Sequence, residues 1–398
     1  MFRPVIEAGP NTAMRDLAAE LAEIDRQGLR RQRRLIDSPQ GAHVRVDGRD
    51  YLSFCSNDYL GLASDPRIAE AAAESMRRLG VGAAASHLVS GHHRIHDDLE
   101  RALAKYVGLP RALLFSAGYL ANLAVVTVLA GRTSDVFADR LNHASLNDAM
   151  VLSRARCRRY VHCDPAALES LLARSIAADK IVITDAVFSM DGDIAPLSGI
   201  ARLCERYGAW LVVDDAHGFG VLGEKGGGAL SHFGIDSAHI AYVGTLGKAA
   251  GVSGAFVAGS EQLVELLIQR ARTYIYTTAS PPSLAAALLK SVEIMASEGW
   301  RRQRLVELTG QLAGSLELRN WRLLASSTAI QPLIVGGNSE AVALSDALAM
   351  RGILVPAIRP PTVPKGSARL RISLSAAHTE GDVGRLVEEL QRAEAVLS

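Results

Sequence analysis

The sequence predicts an α/β protein: a large domain with a mostly parallel sheet flanked by helices, then a smaller carboxy-terminal α+β domain. Short apolar, β-branched runs alternate with helical patterns through the middle of the chain, which is typical of parallel sheets covered on both faces. Polar residues directly follow several of these runs, at the edge where open α/β sheets bind ligands. After Lys248 the alternation stops and helical patterns dominate.

The amino-terminal part is predicted to contain local elements and polar loops. Its elements are a helical pattern over 15–36, a hairpin over 44–54, a polar loop over 55–62, a helix over 66–79 and a glycine- and serine-rich loop over 82–100 that enters a helix. Asp47-Gly48 is a typical hairpin turn. The arginines from Arg30 to Arg34 by themselves indicate only a solvated face.

The middle of the chain holds the alternating pattern. Strands are predicted at 112–115, 136–139, 157–161, 180–186, 210–213 and 241–243, and helices at about 119–130, 165–177 and 197–207. The apolar stretch 112–130 is long enough to raise the question of a membrane span. Ser116, Gly118 and Asn122 interrupt it, so a strand, a turn and a helix are expected instead.

The carboxy-terminal part is predicted to form the smaller domain. Helices are expected at about 260–270, 282–297, 300–319, 338–351 and 380–396, and strands at 329–335 and 369–374. We place the domains at 1–50 (amino-terminal helix and hairpin segment), 51–297 (large α/β domain) and 298–398 (small α+β domain).

Composition excludes several classes of protein. The 398 residues are 48% hydrophobic with a formal net charge of +1, which indicates a soluble globular protein and gives no reason to expect nucleic acid or a membrane surface as partner. The four cysteines lack C-x-x-C spacing, so neither zinc nor a disulfide framework is expected, and a reducing cytoplasm fits.

Lys248 is the residue on which the predicted site depends. It follows a short apolar strand and the turn Gly244-Thr245, and a further apolar run lies behind it. Desolvation there can lower the pKa of the ammonium group, which a lysine needs to attack an aldehyde. A lysine on a turn is otherwise usually solvated, so a second segment has to support this interpretation.

The second segment is the strand Trp210–Val213 with the polar residues after it. Asp214 lies at the carboxyl end of this strand and His217 follows shortly. An acid at one strand end and a lysine at the next suit pyridoxal phosphate, since the acid keeps the pyridine nitrogen protonated while the lysine binds the aldehyde. The histidine can contact the phenolic oxygen of the ring.

Two other motifs are interpreted as misleading. Gly218, Gly220 and Gly223 match the dinucleotide motif G-x-G-x-x-G, but the chain continues into three consecutive glycines where that motif needs a helix. His92 and His96 have the spacing of metal ligands on a helix, yet the sequence shows no obvious third ligand. Neither a nicotinamide site nor a metal site is therefore expected.

Six segments resemble the α-oxoamine synthases, pyridoxal phosphate enzymes of the aspartate aminotransferase-like fold (fold type I). They are SNDYLGL, FSAGYLAN, DRLNHASL, FSMDGDIAPL, VDDAHGFGVLG and GTLGKAAGVSG, and the resemblance covers almost the whole chain. It implies a pyridoxal-phosphate-dependent acyltransferase that forms a homodimer.

The resemblance also implies roles for individual residues. Lys248 would bind the cofactor covalently, Asp214 would pair with the pyridinium nitrogen, and His217 would contact the ring hydroxyl. His143 would stack on the ring. Further implied cofactor contacts are Gly118, Tyr119, Ser189, Thr245, Thr277 and Thr278, of which Thr277 or Thr278 would act across the dimer interface. Implied substrate contacts are Arg30, Asn57, His143, Arg359 and Thr362, with Arg359 receiving the amino acid carboxylate.

The carboxy-terminal strings AIQPLIVG (329–336) and AIRPPTVPKGSARLRISLSAAH (357–378) narrow the expected activity. They resemble the family member that joins L-alanine to a pimeloyl thioester, of CoA or acyl carrier protein, in biotin synthesis. Glycine C-acetyltransferase, 5-aminolevulinate synthase and serine palmitoyltransferase stay open as sister activities with the same core. A non-catalytic protein of the same fold is a further alternative, although such proteins typically lack the lysine.

Overall fold

The computed structural model describes residues 15–27, 29–31 and 33–397. The helices are α1 Leu17–Arg26, α2 Pro66–Leu79, α3 Arg94–Val107, α4 Gly118–Leu129, α5 Ala144–Ser153, α6 Pro165–Leu172, α7 Leu197–Tyr207, α8 Ala229–Phe233, α9 Glu261–Arg270, α10 Arg272–Ile275, α11 Pro282–Ser297, α12 Trp300–Ser315, α13 Asn338–Met350 and α14 Glu380–Leu397. The strands are β1 His43–Val46, β2 Arg49–Ser53, β3 Arg111–Phe115, β4 Asp135–Asp139, β5 Arg156–Tyr160, β6 Lys180–Asp185, β7 Ala209–Asp214, β8 Ile240–Thr245, β9 Ala255–Gly259, β10 Arg322–Leu323, β11 Ile330–Gly336, β12 Ile353–Leu354, β13 Ala357–Ile358 and β14 Ala368–Ser373.

The large domain is organised around a seven-stranded sheet of order β3-β9-β8-β7-β6-β4-β5. All neighbouring pairs from β8 to β5 are parallel, and β9 is antiparallel to both of its neighbours. The prediction of a mostly parallel sheet is confirmed. The consecutive order of β6, β7 and β8 along the sheet places the residues that follow these strands at one shared edge.

The inner strands of this sheet are buried on both faces, which explains their apolar runs, whereas the edge strand β5 is mostly exposed and polar. Successive side chains of a strand point to opposite faces. Accordingly Val182 packs into one hydrophobic cluster, while its neighbours Ile181 and Ile183 pack into another on the opposite face. A strand with both faces covered cannot show polar alternation.

Two smaller sheets complete the fold. β10, β11, β14 and β13 form a sheet whose observed pairs are all antiparallel. The predicted hairpin forms β1 and β2 with its turn at Asp47 and Gly48, and β12 from the carboxy-terminal part pairs with β2 in parallel. The predicted boundary between residues 50 and 51 therefore falls inside β2, and the division into domains stays a prediction.

Local sequence signals explain where several helices begin and end. Asp65 and Asp164 each precede a proline, and each side chain accepts a backbone N–H in the first turn of α2 or α6. Proline at the first helical position and a carboxylate cap together favour this start. Gly108 and Gly208 end α3 and α7 in the left-handed region, with φ of 75° and 60°.

Three predicted helices are shorter than expected. The pattern over 15–36 gives a helix only to Arg26, and the glycine at position 28 disfavours its continuation. The helix predicted over 165–177 ends at Leu172, and the one over 300–319 ends at Ser315. After α12 the backbone amides of Arg319, Asn320 and Trp321 donate to the Glu394 carboxylate instead of continuing a helix.

The apolar stretch 112–130 forms β3 and α4, as predicted. Among the helices that the structure describes, none has the length and apolar character needed to cross a membrane. All four cysteines are free thiols.

Candidate active site

A cavity of about 200 Å³ lies at the carboxyl ends of β6, β7 and β8, where α4 and α5 begin. It is lined by Gly118, Tyr119, Asn122, His143, Ser145, Asp185, Val187, Asp214, Ala216, His217, Val243, Gly244, Thr245 and Lys248. The structure therefore brings together seven of the sequence-predicted site residues, from segments more than a hundred residues apart.

Lys248 lies in the turn after β8 with its amine inside the cavity. Its Nζ is 2.8 Å from His217 Nε2. Burial lowers the pKa of Lys248 from 10.5 to about 8, although the nearby Asp214 carboxylate acts in the opposite direction. The direction of this shift agrees with the one expected from the sequence, and it makes the uncharged amine more accessible than in a solvated lysine.

His217 connects Lys248 to side chains from the amino-terminal and carboxy-terminal parts of the chain. His217 Nδ1 is 2.6 Å from the Tyr59 hydroxyl, and that hydroxyl donates to Asn57 Oδ1 at 3.1 Å. Arg371 also donates to Asn57 Oδ1, at 3.1 Å. Burial lowers the pKa of His217 well below its usual value, with further lowering by Lys248 and Arg371. The imidazole is thus neutral, so Nδ1–H donates to Tyr59 and Nε2 accepts from Lys248.

Asp214 ends β7 and is held on both carboxylate oxygens. Asn122 Nδ2 donates to Asp214 Oδ2 at 2.6 Å, and the backbone N–H of Ala216 donates to Oδ1 at 3.0 Å. The same Asn122 amide donates to Ser145 Oγ at 2.8 Å. These donors fix the position of the Asp214 carboxylate in the cavity, where it can pair with the pyridinium nitrogen of a bound cofactor.

A second carboxylate lies beside the first and holds the chain at His143. Asp185 Oδ1, at the end of β6, accepts the His143 backbone N–H at 3.1 Å. Burial, and next the charge of Asp214, raise the pKa of Asp185 well above its usual value. The exposed His143 ring bonds to Ser145 Oγ at 2.7 Å and borders the cavity.

The part of the cavity at the start of α4 suits a phosphate. Gly118 is the first residue of α4, and no side chain caps this helix. The amides of the first turn have no partner within a helix and attract anions. Thr245 lies close by, since a Cβ added to Gly118 would be 3.7 Å from its Oγ1. A helix amino terminus, an amine and a carboxylate in one cavity fit the phosphate, aldehyde and pyridinium of pyridoxal phosphate.

The remaining predicted residues lie outside this cavity. Asn57 and Ser189 are connected to it through Arg371, whose Nε donates to the Ser189 carbonyl at 2.5 Å. Thr278 pairs with Ser86 in an isolated bridge. The exposed Arg30 forms an ion pair with Asp25 at 3.0 Å. Arg359 and Thr362 follow β13, and Thr362 N–H donates to the Arg359 carbonyl at 3.1 Å.

Sequence reasoning missed five polar residues at or beside the cavity: Tyr59, Asn122, Ser145, Asp185 and Arg371. The sequence around two of them contains a feature that could have identified them. Asn122 is a lone amide among the apolar residues of α4, and Asp185 follows a buried strand as Asp214 does. Arg371 lies in an alternating strand far along the chain, so no local pattern associates it with Tyr59.

The glycines that match the dinucleotide motif have a different role. A Cβ on Gly218 would lie 2.1 Å from Asp215 Oδ1, so a larger residue does not fit there. Gly220 and Gly223 have positive φ of 79° and 81°, and no helix begins at Gly223. These glycines let the loop pass close to a buried carboxylate, which accepts from the Tyr242 hydroxyl at 2.8 Å.

Comparisons with known proteins agree with this geometry. The aminotransferase class I and II family matches residues 49–390. An 8-amino-7-oxononanoate synthase of Nitrosomonas europaea is 59% identical over 374 residues, which cover 93% of this chain and 97% of that protein. The structure of a serine palmitoyltransferase from S. paucimobilis with a bound PLP-myriocin aldimine matches with a TM-score of 0.91 and 29% identity, covering 96% of this chain and 99% of the other.

The structure of an 8-amino-7-oxononanoate synthase from Francisella tularensis matches with a TM-score of 0.74 and 32% identity, covering 87% of this chain and 98% of that one. The sequence match extends through both the large sheet and the carboxy-terminal sheet. The chain therefore belongs to the aminotransferase class I and II family and has its fold type I architecture.

Proposed function

We propose that this protein uses pyridoxal phosphate to join L-alanine to a pimeloyl thioester, releasing carbon dioxide and the thiol carrier and forming 8-amino-7-oxononanoate. A relative that is 59% identical over nearly the full chain carries the name of this activity. The observation in the structure that supports it most is the Lys248 amine, desolvated and placed in one cavity with the Asp214 carboxylate and the amino terminus of α4.

When bound, pyridoxal phosphate supplies an electron sink that stabilises negative charge on the Cα of alanine. Lys248 removes the Cα proton and returns one at the end of the reaction. Its pKa of about 8 lets it serve as base and as acid near neutral pH. The contact with His217 Nε2 at 2.8 Å orients the amine, and a neutral His217 does not compete with it for positive charge.

The other cavity residues bind and orient. The amides of Gly118 and Tyr119 and the Thr245 hydroxyl would hold the phosphate, because the uncapped start of α4 attracts anions. Asp214 would keep the pyridine nitrogen protonated. His143 borders the cavity from the solvent side, where its ring can cover a bound aromatic group and limit the access of water.

The carboxylates of the two substrates would be recognised by residues outside the cavity lining. Arg359 would bind the alanine carboxylate through two parallel hydrogen bonds, with Thr362 and Asn57 beside it. Arg30 would receive the distal carboxylate of the pimeloyl chain. Its present ion pair with Asp25 is exposed, and exposed pairs are worth only about 0–1 kcal/mol, so this guanidinium can exchange partners at little cost.

We assign the working unit to a homodimer in which Thr277 or Thr278 contacts the phosphate of the neighbouring subunit. Apolar side chains near this segment support the assignment: Tyr276 is 71% exposed and Val89 is 80% exposed in the single chain. Ser86 pairs with Thr278, so the segments that carry Val89 and Tyr276 are neighbours. Exposed apolar groups that lie close together suit an interface.

The deciding experiment is a thiol-release assay that crosses L-alanine, glycine and L-serine with pimeloyl, acetyl, succinyl and palmitoyl thioesters. We expect alanine with a pimeloyl thioester to give the highest kcat/KM. If glycine with acetyl-CoA, or serine with a palmitoyl thioester, is the better pair, a sister activity of the same family replaces this one.

Arg359 offers a second test within the same assay. Arg359→Ala should raise the KM for alanine by much more than Arg359→Lys does, because lysine keeps a charge but loses the bidentate geometry. The KM for the thioester should change little in both variants. Equal effects on the two substrates would contradict the proposed role of this arginine.

A further inference from the structure

Three histidines from one short segment meet at a place separate from the active-site cavity. His87 lies in a π-helical turn, His87–Gly91, His92 follows this turn, and His96 lies in the first turn of α3. One ligand atom of each ring lies within 4.8 Å of those of the other two. We call these residues the three-histidine cluster. The sequence showed no third ligand for His92 and His96, and the π-helical turn supplies it by directing His87 back toward them.

Two rings of the cluster lie close to the spacing of two ligands on one cation. His87 Nδ1 and His92 Nδ1 are 2.8 Å apart and share a hydrogen bond. With metal–nitrogen bonds of about 2.0–2.1 Å, two tetrahedral ligands are about 3.3 Å apart. On metal binding the two rings would therefore separate slightly and the ion would replace the shared proton.

Contacts behind the rings fix their orientation. His96 Nε2 donates to the Ser280 carbonyl at 2.8 Å, so its lone pair is on Nδ1. In the structure this Nδ1 accepts the His93 backbone N–H at 3.0 Å, a contact that a bound ion would replace. The His87 ring stacks on Tyr274 with centroids 5.0 Å apart and planes 11° apart. Such outer contacts typically orient metal-binding histidines.

The charge of the surrounding groups and the access from solvent also suit a cation. Ligand atoms of His92, Asp97 and Glu100 form a second group within 4.8 Å, so carboxylates lie next to the cluster. In the single chain His92 is exposed and His96 is buried, so an ion would reach the cluster from the side of His92. Imidazole ligands favour zinc and other late first-row transition metals over magnesium and calcium.

We propose that the three-histidine cluster binds one divalent transition-metal cation, of which Zn²⁺ is the best-fitting example. The ion would fix the π-helical turn against the segment 274–280, since Tyr274 and Ser280 contact His87 and His96. No residue of the cluster lines the Lys248 cavity, so metal binding can be measured apart from the proposed reaction. His87 does lie beside Thr277 and Thr278, which are proposed to contact the phosphate of the neighbouring subunit.

The test uses the full chain loaded with cofactor, stripped of metals with a chelator and titrated with Zn²⁺ by calorimetry. We expect one high-affinity ion per chain. His87→Ala and His92→Ala should each weaken binding at least about 10-fold, because even outer contacts of metal ligands are worth 10–100-fold. His232→Ala removes an exposed histidine of α8 and serves as the matched control, with unchanged binding expected.

Cobalt gives an independent readout of the same site. Co²⁺ bound by the three-histidine cluster should give visible ligand-field absorption that is lost in His87→Ala and His92→Ala and kept in His232→Ala. The proposal is overturned if the parent chain binds no Zn²⁺ ion, or if binding is the same in all three variants. The second result would assign the ion to other groups, such as the exposed Cys157.

Discussion

Asn122 is the residue through which the Asp214 environment can be tested most sharply. Its Nδ2 donates to Asp214 Oδ2 at 2.6 Å, and Asn122 is 1% exposed. The amide lines the floor of the cavity beside the carboxylate, so we expect it to act on the reaction by positioning Asp214. Asn122→Ala removes this donor and keeps the hydrogen bond from the backbone N–H of Ala216 to the other carboxylate oxygen.

The size of the effect follows from the kind of hydrogen bond. A hydrogen bond to a charged group contributes about 1.5–3 kcal/mol, and about 1.4 kcal/mol corresponds to a factor of ten. If the reacting state needs the ionised, oriented carboxylate, Asn122→Ala should lower kcat by about 10- to 150-fold. The KM for each substrate should change much less, because both substrates are expected to bind outside this part of the cavity.

The assay is steady-state thiol release at saturating cofactor, with cofactor affinity and thermal denaturation measured on the same preparations. Thr127→Ala is the matched control on the same helix, since its exposed hydroxyl donates to the Leu123 carbonyl. It should keep the parent kcat. A folded, cofactor-saturated Asn122→Ala protein with kcat within about threefold of the parent would refute the reasoning.

Three further predictions concern Lys248 and assembly. Borohydride should fix the cofactor to a peptide containing Lys248, and a reducible adduct that persists in Lys248→Ala would contradict the assignment. The apo form of Lys248→Met should be more stable than the parent at pH 7, by at most about 3 kcal/mol, because folding lowers the pKa of Lys248 from 10.5 to about 8. The parent gains stability as pH rises from about 8 toward 10.5, where the unfolded chain binds the extra proton. The gain from Lys248→Met, measured by chemical denaturation, should therefore shrink over this range, and a constant gain would contradict the burial argument. Thr277→Ala and Thr278→Ala should weaken cofactor binding in at least one case without changing the dimer measured by sedimentation, whereas a dilute monomer with full affinity would rule out a contact across the interface.

Local sequence patterns were sufficient to predict most of the helices and strands. α2 has the predicted bounds of 66–79 because an Asp-Pro start and a final glycine are signals within the helix itself. α12 is shorter than predicted because Glu394, at the other end of the domain, binds the amides that follow Ser315. No pattern within residues 300–319 shows that competition.

The predicted site residues likewise have a signal in their own segment, whereas the missed ones depend on contacts between distant segments. Lys248, Asp214 and His217 were predicted because polar residues directly after apolar parallel strands gather at one sheet edge. Tyr59 contacts His217, which lies 158 residues further along the chain. Arg371 contacts Tyr59 across 312 residues of sequence. A local pattern cannot show a contact of that range.

By itself, the sequence determined which residues form the parallel strands and which polar groups end them, since both follow from short-range burial patterns. Only the tertiary structure decided what those groups face. It placed Asn122 against Asp214, closed the Tyr59–His217–Lys248 contacts, and turned His87 toward His92 and His96. The physical reason is that the pKa of a buried group, and the partner it finds, depend on neighbours that only the packing of distant segments supplies.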